Sequence, residues 1–168
     1  MTAARTPSSL ESLARHLAVQ IDAAASRSSL PPAIVLCATY CGLAVARSLG
    51  RHGVPVWILD HRSWEVGMNT RHARPVVVPA PPSEGDAWTH VLLRVGKRLH
   101  CRPILFATGD AHLQFLSNAR NTLAAHYEFL LPCPTTLDAL LDKRRQYELL
   151  RSCQARIPVT LWPEHEDE

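Results

Sequence analysis

Ala33-Ile34-Val35-Leu36-Cys37-Ala38-Thr39-Tyr40-Cys41-Gly42-Leu43-Ala44-Val45-Ala46-Arg47-Ser48-Leu49-Gly50, followed by Gly53-Val54-Pro55-Val56-Trp57-Ile58-Leu59-Asp60, decides the fold. Ala33–Cys37 is a short, uninterrupted apolar run, as in a strand buried on both faces. Leu43–Leu49 switches to helical periodicity, and Gly50 to Gly53 ends it. Val54–Asp60 is a second buried strand with an acid at its carboxyl end. Pro55 sits near its start, where a missing amide donor is tolerated. Strand, helix, strand within so short a span means a parallel pair joined by a crossover.

The same alternation continues downstream. Arg74-Pro75-Val76-Val77-Val78-Pro79 predicts a third strand. A helix is expected from Asp86 to about Leu99, with Val91, Leu92, Val95 and Leu99 on one face. Pro103–Ala107 predicts a fourth strand, Thr108-Gly109-Asp110 the turn after it, and Ala111–Ala125 a further helix. The expected class is α/β: a doubly wound parallel sheet with right-handed crossovers. Upstream, Ser9 could cap a helix carrying Leu10, Leu13, Leu17 and Ile21 on one stripe, packed outside the main fold. Small and polar residues at 22–32, ending in a Pro pair, then form a linker.

After Pro132-Cys133-Pro134 the pattern changes. A helical turn at Leu137–Leu141, an amphipathic helix from Asp142 to Cys153 and a strand from Ile157 to Trp162 are expected. The expected organisation is an extension over 1–32, a Rossmann-like domain over 33–134 and the opening of a second domain over 135–168.

Composition narrows the function. The chain has 168 residues, 46% of them apolar and 20% charged, which is globular rather than disordered. Residues 1–163 set eighteen basic against eleven acidic side chains, a formal +7 suited to attracting an anionic ligand. That falls short of the dense basic stripe of a nucleic-acid binder, so no nucleic-acid partner is expected. No apolar run approaches the roughly 20 residues needed to cross a bilayer, so no membrane partner is expected either. Five dispersed cysteines and no secretory leader suit reduced thiols and a cytoplasmic location. There is no Cys-x-x-Cys and no His-Glu-x-x-His, so no metal ligands are assigned.

In such a sheet, ligands bind at the carboxyl ends of the strands, near the reversal of strand order. The first turn offers Thr39, Tyr40 and Gly42 there. It lacks the glycines of a dinucleotide fingerprint and carries a bulky Tyr40 in its middle, although Asp60 stands near the position of a ribose-binding acid. Gly42 could instead serve close helix–strand packing, and Asp60 could be a solvent-exposed strand-end cap. Thr108, Gly109 and Asp110 bring a hydroxyl, a pliant backbone and a carboxylate to another strand end. They could hold an amine or hydroxyl of a small substrate, or Asp110 could simply cap the next helix. Lys143 is one of only two lysines in the chain, in the run Asp142-Lys143-Arg144-Arg145. A compact ammonium suits a phosphate oxygen, whereas the run as a whole could be a solvated face.

Leu131-Pro132-Cys133-Pro134, Leu141-Asp142-Lys143-Arg144, Leu149-Leu150 and Ile157-Pro158-Val159-Thr160 together resemble the junction in ATP-grasp enzymes. There the pre-ATP-grasp domain hands over to the ATP-binding domain. Tyr40–Gly50, Gly53–Val56 and Arg102–Asp110 resemble the carboxylate–amine ligase branch of that family. Ala155-Arg156-Ile157 departs from it where a glycine usually precedes the Ile-Pro. The resemblance implies a substrate-side domain of a ligase that activates a carboxylate with ATP and Mg2+ as an acyl phosphate, which an amine then attacks. It implies that Lys143 touches the nucleotide phosphates. No residue of the chain matches the family's catalytic lobes, so tight ATP or Mg2+ binding and turnover by this chain alone are not expected. A separate or fused ATP-grasp chain is the implied partner. Self-association through an unfinished edge strand at 157–162 is a further expectation. Two other readings stand beside this one. One is a Rossmann-type dinucleotide-binding oxidoreductase using Asp60. The other is a non-catalytic interaction domain docking a partner on Leu10, Leu13, Leu17 and Ile21.

Overall fold

A computed structural model of the chain describes residues 7–162. They fall into two units that divide between Leu131 and Pro132.

The first unit is built on four parallel strands: β1 (Ala33–Leu36), β2 (Val56–Asp60), β3 (Arg74–Val77) and β4 (Ile104–Ala107). Their order is β3-β2-β1-β4, with Ala33 in register with both Val56 and Ile104. The helices are α1 (Pro7–Ala25), α2 (Tyr40–Arg51), α3 (Gly85–Gly96), α4 (Asp110–Asn118) and α5 (Arg120–Leu123). Side chains alternate across the pleat, so each central strand feeds two cores. Ile34, Leu36, Trp57, Leu59 and Leu105 pack with residues of α1, α3, α4 and α5. Ala33, Val35, Val56 and Ile58 pack with Ala46 of α2 and with Met68. Burial on both faces is why β1 and β2 are apolar without alternation. β3 is the edge, mostly exposed, and tolerates Pro75 because its outer side has no ladder to lose. The architecture is the doubly wound, Rossmann-like α/β fold, with an additional amino-terminal helix.

Three expectations change here. α1 begins at Pro7, so Ser9 lies inside the helix and is not its cap. The stripe on α1 is not free for a partner: Leu17 and Ile21 are buried in the core with Val91, Leu92 and Val95 of α3. The docking-domain reading therefore loses its surface. The helix expected over 111–125 is divided at Ala119 into α4 and α5.

In the second unit, α6 (Pro134–Leu141) and α7 (Lys143–Ser152) are joined by Asp142 alone. Asp142 caps α7, its carboxylate accepting from the Arg145 amide at 3.0 Å. Beyond α7, Gln154 adopts φ 56°, and the Gln154 and Ala155 amides return to the Arg151 and Leu150 carbonyls at 3.0 Å. This is a Schellman turn made with a glutamine in the left-handed region. No strand forms over Ile157–Trp162. A strand needs a ladder partner, and the segment has none; it leaves Val159 and Leu161 exposed and sets Trp162 edge-on to Tyr147 at 5.7 Å. The edge expected to drive self-association is therefore absent.

Candidate functional site

The chain steps from β1 to β2 to β3 in one direction and then returns to place β4 on the other side of β1. The crevice of the sheet is therefore at the carboxyl ends of β1 and β4, where neighbouring crossovers part. Thr39, Tyr40, Gly42, Thr108, Gly109 and Asp110 belong to the two turns that form it. Lys143 belongs to the second unit: it is exposed in the first turn of α7, and its ammonium donates to Gln146 Oε1 at 3.1 Å.

The first turn is shaped by Cys37, whose φ of 88° is uncommon for a residue with a side chain. That backbone rotation turns the Cys37 carbonyl toward α2 and β4. Thr108 Oγ1 contacts the Leu36 and Cys37 carbonyls at 3.1 and 3.3 Å, tying the end of β4 to the end of β1. Thr108 is thus a tie between strands as well as a residue of the crevice. Gly42 sits against the same carbonyl: a Cβ there would be 1.8 Å from Cys37 O. The close-packing role foreseen for Gly42 is what the structure contains. Gly109 is the matching gap on the other turn, its missing Cβ falling 3.1 Å from Cys37 Sγ and 3.4 Å from His112 Nδ1.

Both helices that start at the crevice lack a side-chain cap. The Thr39 hydroxyl, in the cap position of α2, lies 3.1 Å from Cys37 Sγ instead of capping. Gly109 occupies the cap position of α4 and has no side chain to offer. Asp110 is therefore not the cap it was expected to be: it is the first helical residue, exposed, adding negative charge to the first turn. Tyr40 is 81% exposed. What remains is a pair of helix amino termini, their first amides unmatched by side chains, with glycine at each turn. Such a place favours the anionic oxygens of a ligand.

Sequence reasoning missed the layer beneath. Asp60 is not a solvent-exposed strand end: its side chain is fully buried. Oδ2 accepts from the Ala38 amide at 2.8 Å and Oδ1 from the Arg62 amide at 3.0 Å, with His61 Nδ1 3.1 Å from Oδ1. Burial opposes its charge, but those amide bonds and the Arg62 guanidinium outweigh it and hold the carboxyl below its ordinary range. With both oxygens engaged by the chain, Asp60 is not available to a ribose. His112 is buried in the first turn of α4, edge-on to Trp88 at 5.1 Å, with Nε2 lacking a hydrogen-bond partner. Its only sequence signal was a histidine two positions after a strand-end acid.

Burial pushes the His112 imidazole down to about 4, with His61 and Arg62 adding to the effect and Asp60 opposing it. Unfolded, the same histidine titrates near 6.5. Below that pH the unfolded chain takes up a proton that the folded chain refuses, so stability falls as pH drops from about 6.5 toward 4. The slope from this group is at most about 1.4 kcal/mol per pH unit. Urea unfolding at a series of pH values in this window should show it, and His112→Phe, which keeps a ring against Trp88, should flatten the dependence. Equal slopes for both proteins would contradict this account.

A cavity of about 400 Å³ lies between the start of α3 and α4, lined by Asp86, Thr89, Gln114 and Phe115 among others; none of the crevice residues named above lines it. Among the described residues no group of three or more His, Cys, Asp or Glu side chains could hold a metal ion, and no helix is long and apolar enough to cross a membrane. No protein-family model matches the chain, and no curated protein matches it.

Proposed function

We propose that this chain supplies the substrate-side wall of an ATP-grasp carboxylate–amine ligase. The first unit would receive the anionic end of a small substrate at the β1/β4 crevice, and Lys143 would meet nucleotide phosphate. The observation that carries the reading is the pair of uncapped helix starts at the crevice, with glycine at both turns. Amides at two helix starts suit a carboxylate oxygen, and the glycines let the two turns pack closely enough to bring those starts together. The junction residues 131–144 and the Asp142-capped helix carrying Lys143 support the same reading. The described residues offer no acidic donor set that fits Mg2+. Lys143 would neutralise phosphate charge as a point cation. The dinucleotide reading is weakened by Asp60, whose carboxylate is fully buried and already accepts from two backbone amides, and by a first turn without the glycine pattern.

Amide-resolved NMR of the 168-residue chain tests the proposal. Small amino acids should shift the Tyr40–Gly42 and Asp110–His112 amides with millimolar affinity. ATP should shift the start of α7 weakly, and Lys143→Ala should abolish that response. Saturable micromolar NADH binding, or ATP turnover by the pure chain, would overturn it.

A further inference from the structure

The amino-terminal end of the sheet, opposite the crevice, collects positive charge. Arg47 and Arg51 are four residues apart on α2, so they share a helix face and repel each other. Arg51 gains from the carboxyl end of the helix dipole; Arg47, a turn earlier, gains less. The segment entering β3 adds Arg71 and His72, and β3 itself begins with Arg74. Backbone contact fixes the two segments together: a Cβ on Gly50 would lie 2.4 Å from the His72 carbonyl oxygen. Between them is a pocket of about 300 Å³, lined by Gly50, Gly53, Val56, Arg71, His72 and Arg74 among others. The convergence is electrostatic as well as spatial. The imidazole of His72 is disfavoured as a cation first by burial and then by the charges of Arg71, Arg51 and Arg47.

Four other described arginines meet carboxylates, whereas Arg15, Arg27, Arg144, Arg145, Arg151 and Arg156 do not. Arg62 meets Asp60 and Glu65, Arg94 and Arg98 meet Glu11, and Arg102 meets Glu128. Among the described residues, Arg47, Arg51, Arg71 and Arg74 pair with no carboxylate. Arg74 instead lies over the Trp57 ring at 5.4 Å, which holds its guanidinium at the pocket's edge. What sets this group apart is its convergence: Arg71 and Arg74 line the concavity, and Arg47 and Arg51 stand beside it on the helix whose Gly50 abuts His72.

We propose that this pocket binds the phosphate dianion of a small soluble ligand. A single carboxylate would leave most of the charge uncompensated. Planar guanidinium forks match phosphate oxygens two at a time. The pocket is too small for a nucleic-acid strand, and the cluster does not extend into a stripe. The site lies at the opposite sheet end from the crevice and does not depend on the ligase reading.

The test is titration of the full chain with inorganic phosphate and with pyrophosphate, in about 150 mM NaCl to screen diffuse attraction. The arginine Nε–Hε signals are the readout. Saturable shifts confined to Arg47, Arg51, Arg71 and Arg74 are expected. Arg51→Gln with Arg71→Gln should weaken binding at least about tenfold, as two charge-assisted bonds are lost. Both residues are exposed, so the melting temperature should not change, and Lys97→Gln should leave affinity unaltered. A parallel arm sediments the chain with vesicles containing phosphatidylinositol phosphate. Linear shifts at every arginine, undiminished binding by the double variant, or binding to vesicles without binding to soluble phosphate would each overturn the proposal.

Discussion

Gly42→Ala is expected to cost more than about 3 kcal/mol and to lower the melting temperature of the first unit by about 10 °C or more. The methyl group would arrive 1.8 Å from the Cys37 carbonyl oxygen and 3.0 Å from its carbon, and both are backbone atoms that no rotamer change can move. The carbonyl cannot retreat cheaply. The Thr108 hydroxyl lies 3.3 Å from it, and the Cys37 amide is bonded to Leu59 O at 3.0 Å, fixing the turn to β2. Cys37 is already at φ 88°, so further rotation starts from a sparsely allowed conformation. Relief therefore requires the start of α2 to slide off the sheet, which removes Ala46 and Leu43 from their buried positions. Gly85→Ala is the control: its new methyl meets only the Phe115 ring, at 3.6 Å, and removes backbone freedom from a helix start. Thermal unfolding followed by circular dichroism should separate the two by most of the predicted shift. Similar melting temperatures would mean that the β1–α2 turn is more pliant than its contacts imply.

The fold was legible where burial alone dictates sequence. A strand covered on both faces must be apolar throughout, so Ile34–Leu36 and Trp57–Leu59 announce themselves without any knowledge of their neighbours. The turns at the strand ends were legible too, but which of them meet depends on the strand order, which local burial does not give. What stayed hidden depends on contacts far apart in sequence. The stripe on α1 was visible, but nothing local says that α3, some seventy residues on, covers it. Ile157–Thr160 has the β-branched composition of a strand, yet composition supplies no ladder, and the segment stays irregular. Asp110 looked like a cap because acids favour helix starts; the turn advances by one residue and gives that place to Gly109. At Asp60 the residue type was read and its environment was not. An acid at a strand end is ordinarily wet, and only the β1–α2 turn folding over it closes it off.

Asp60→Ala should therefore destabilise the first unit by about 3–5 kcal/mol, the usual loss when one member of a buried charged network is removed. The Ala38 amide, 2.8 Å from Oδ2, would be left as a buried donor without a partner, and the Arg62 amide and His61 would lose the oxygen they share. Asp60→Asn should cost less, because one oxygen still accepts an amide while the new NH2 group opposes the other. The two variants also differ from the parent in acid. The folded carboxyl titrates below its ordinary value, so its contribution is complete above about pH 4, the unfolded value, and disappears as pH falls through the folded value. Stability curves of parent and Asp60→Asn should thus converge as pH is lowered below about 4. The outcome discriminates function as well. A carboxylate kept for a ribose would be nearly silent in stability when removed and loud in cofactor binding. One that holds the Ala38 turn shut should show the reverse: a large loss in urea unfolding and no NADH affinity to lose. A stable Asp60→Ala protein would break the link drawn here between Asp60 and the shape of the crevice.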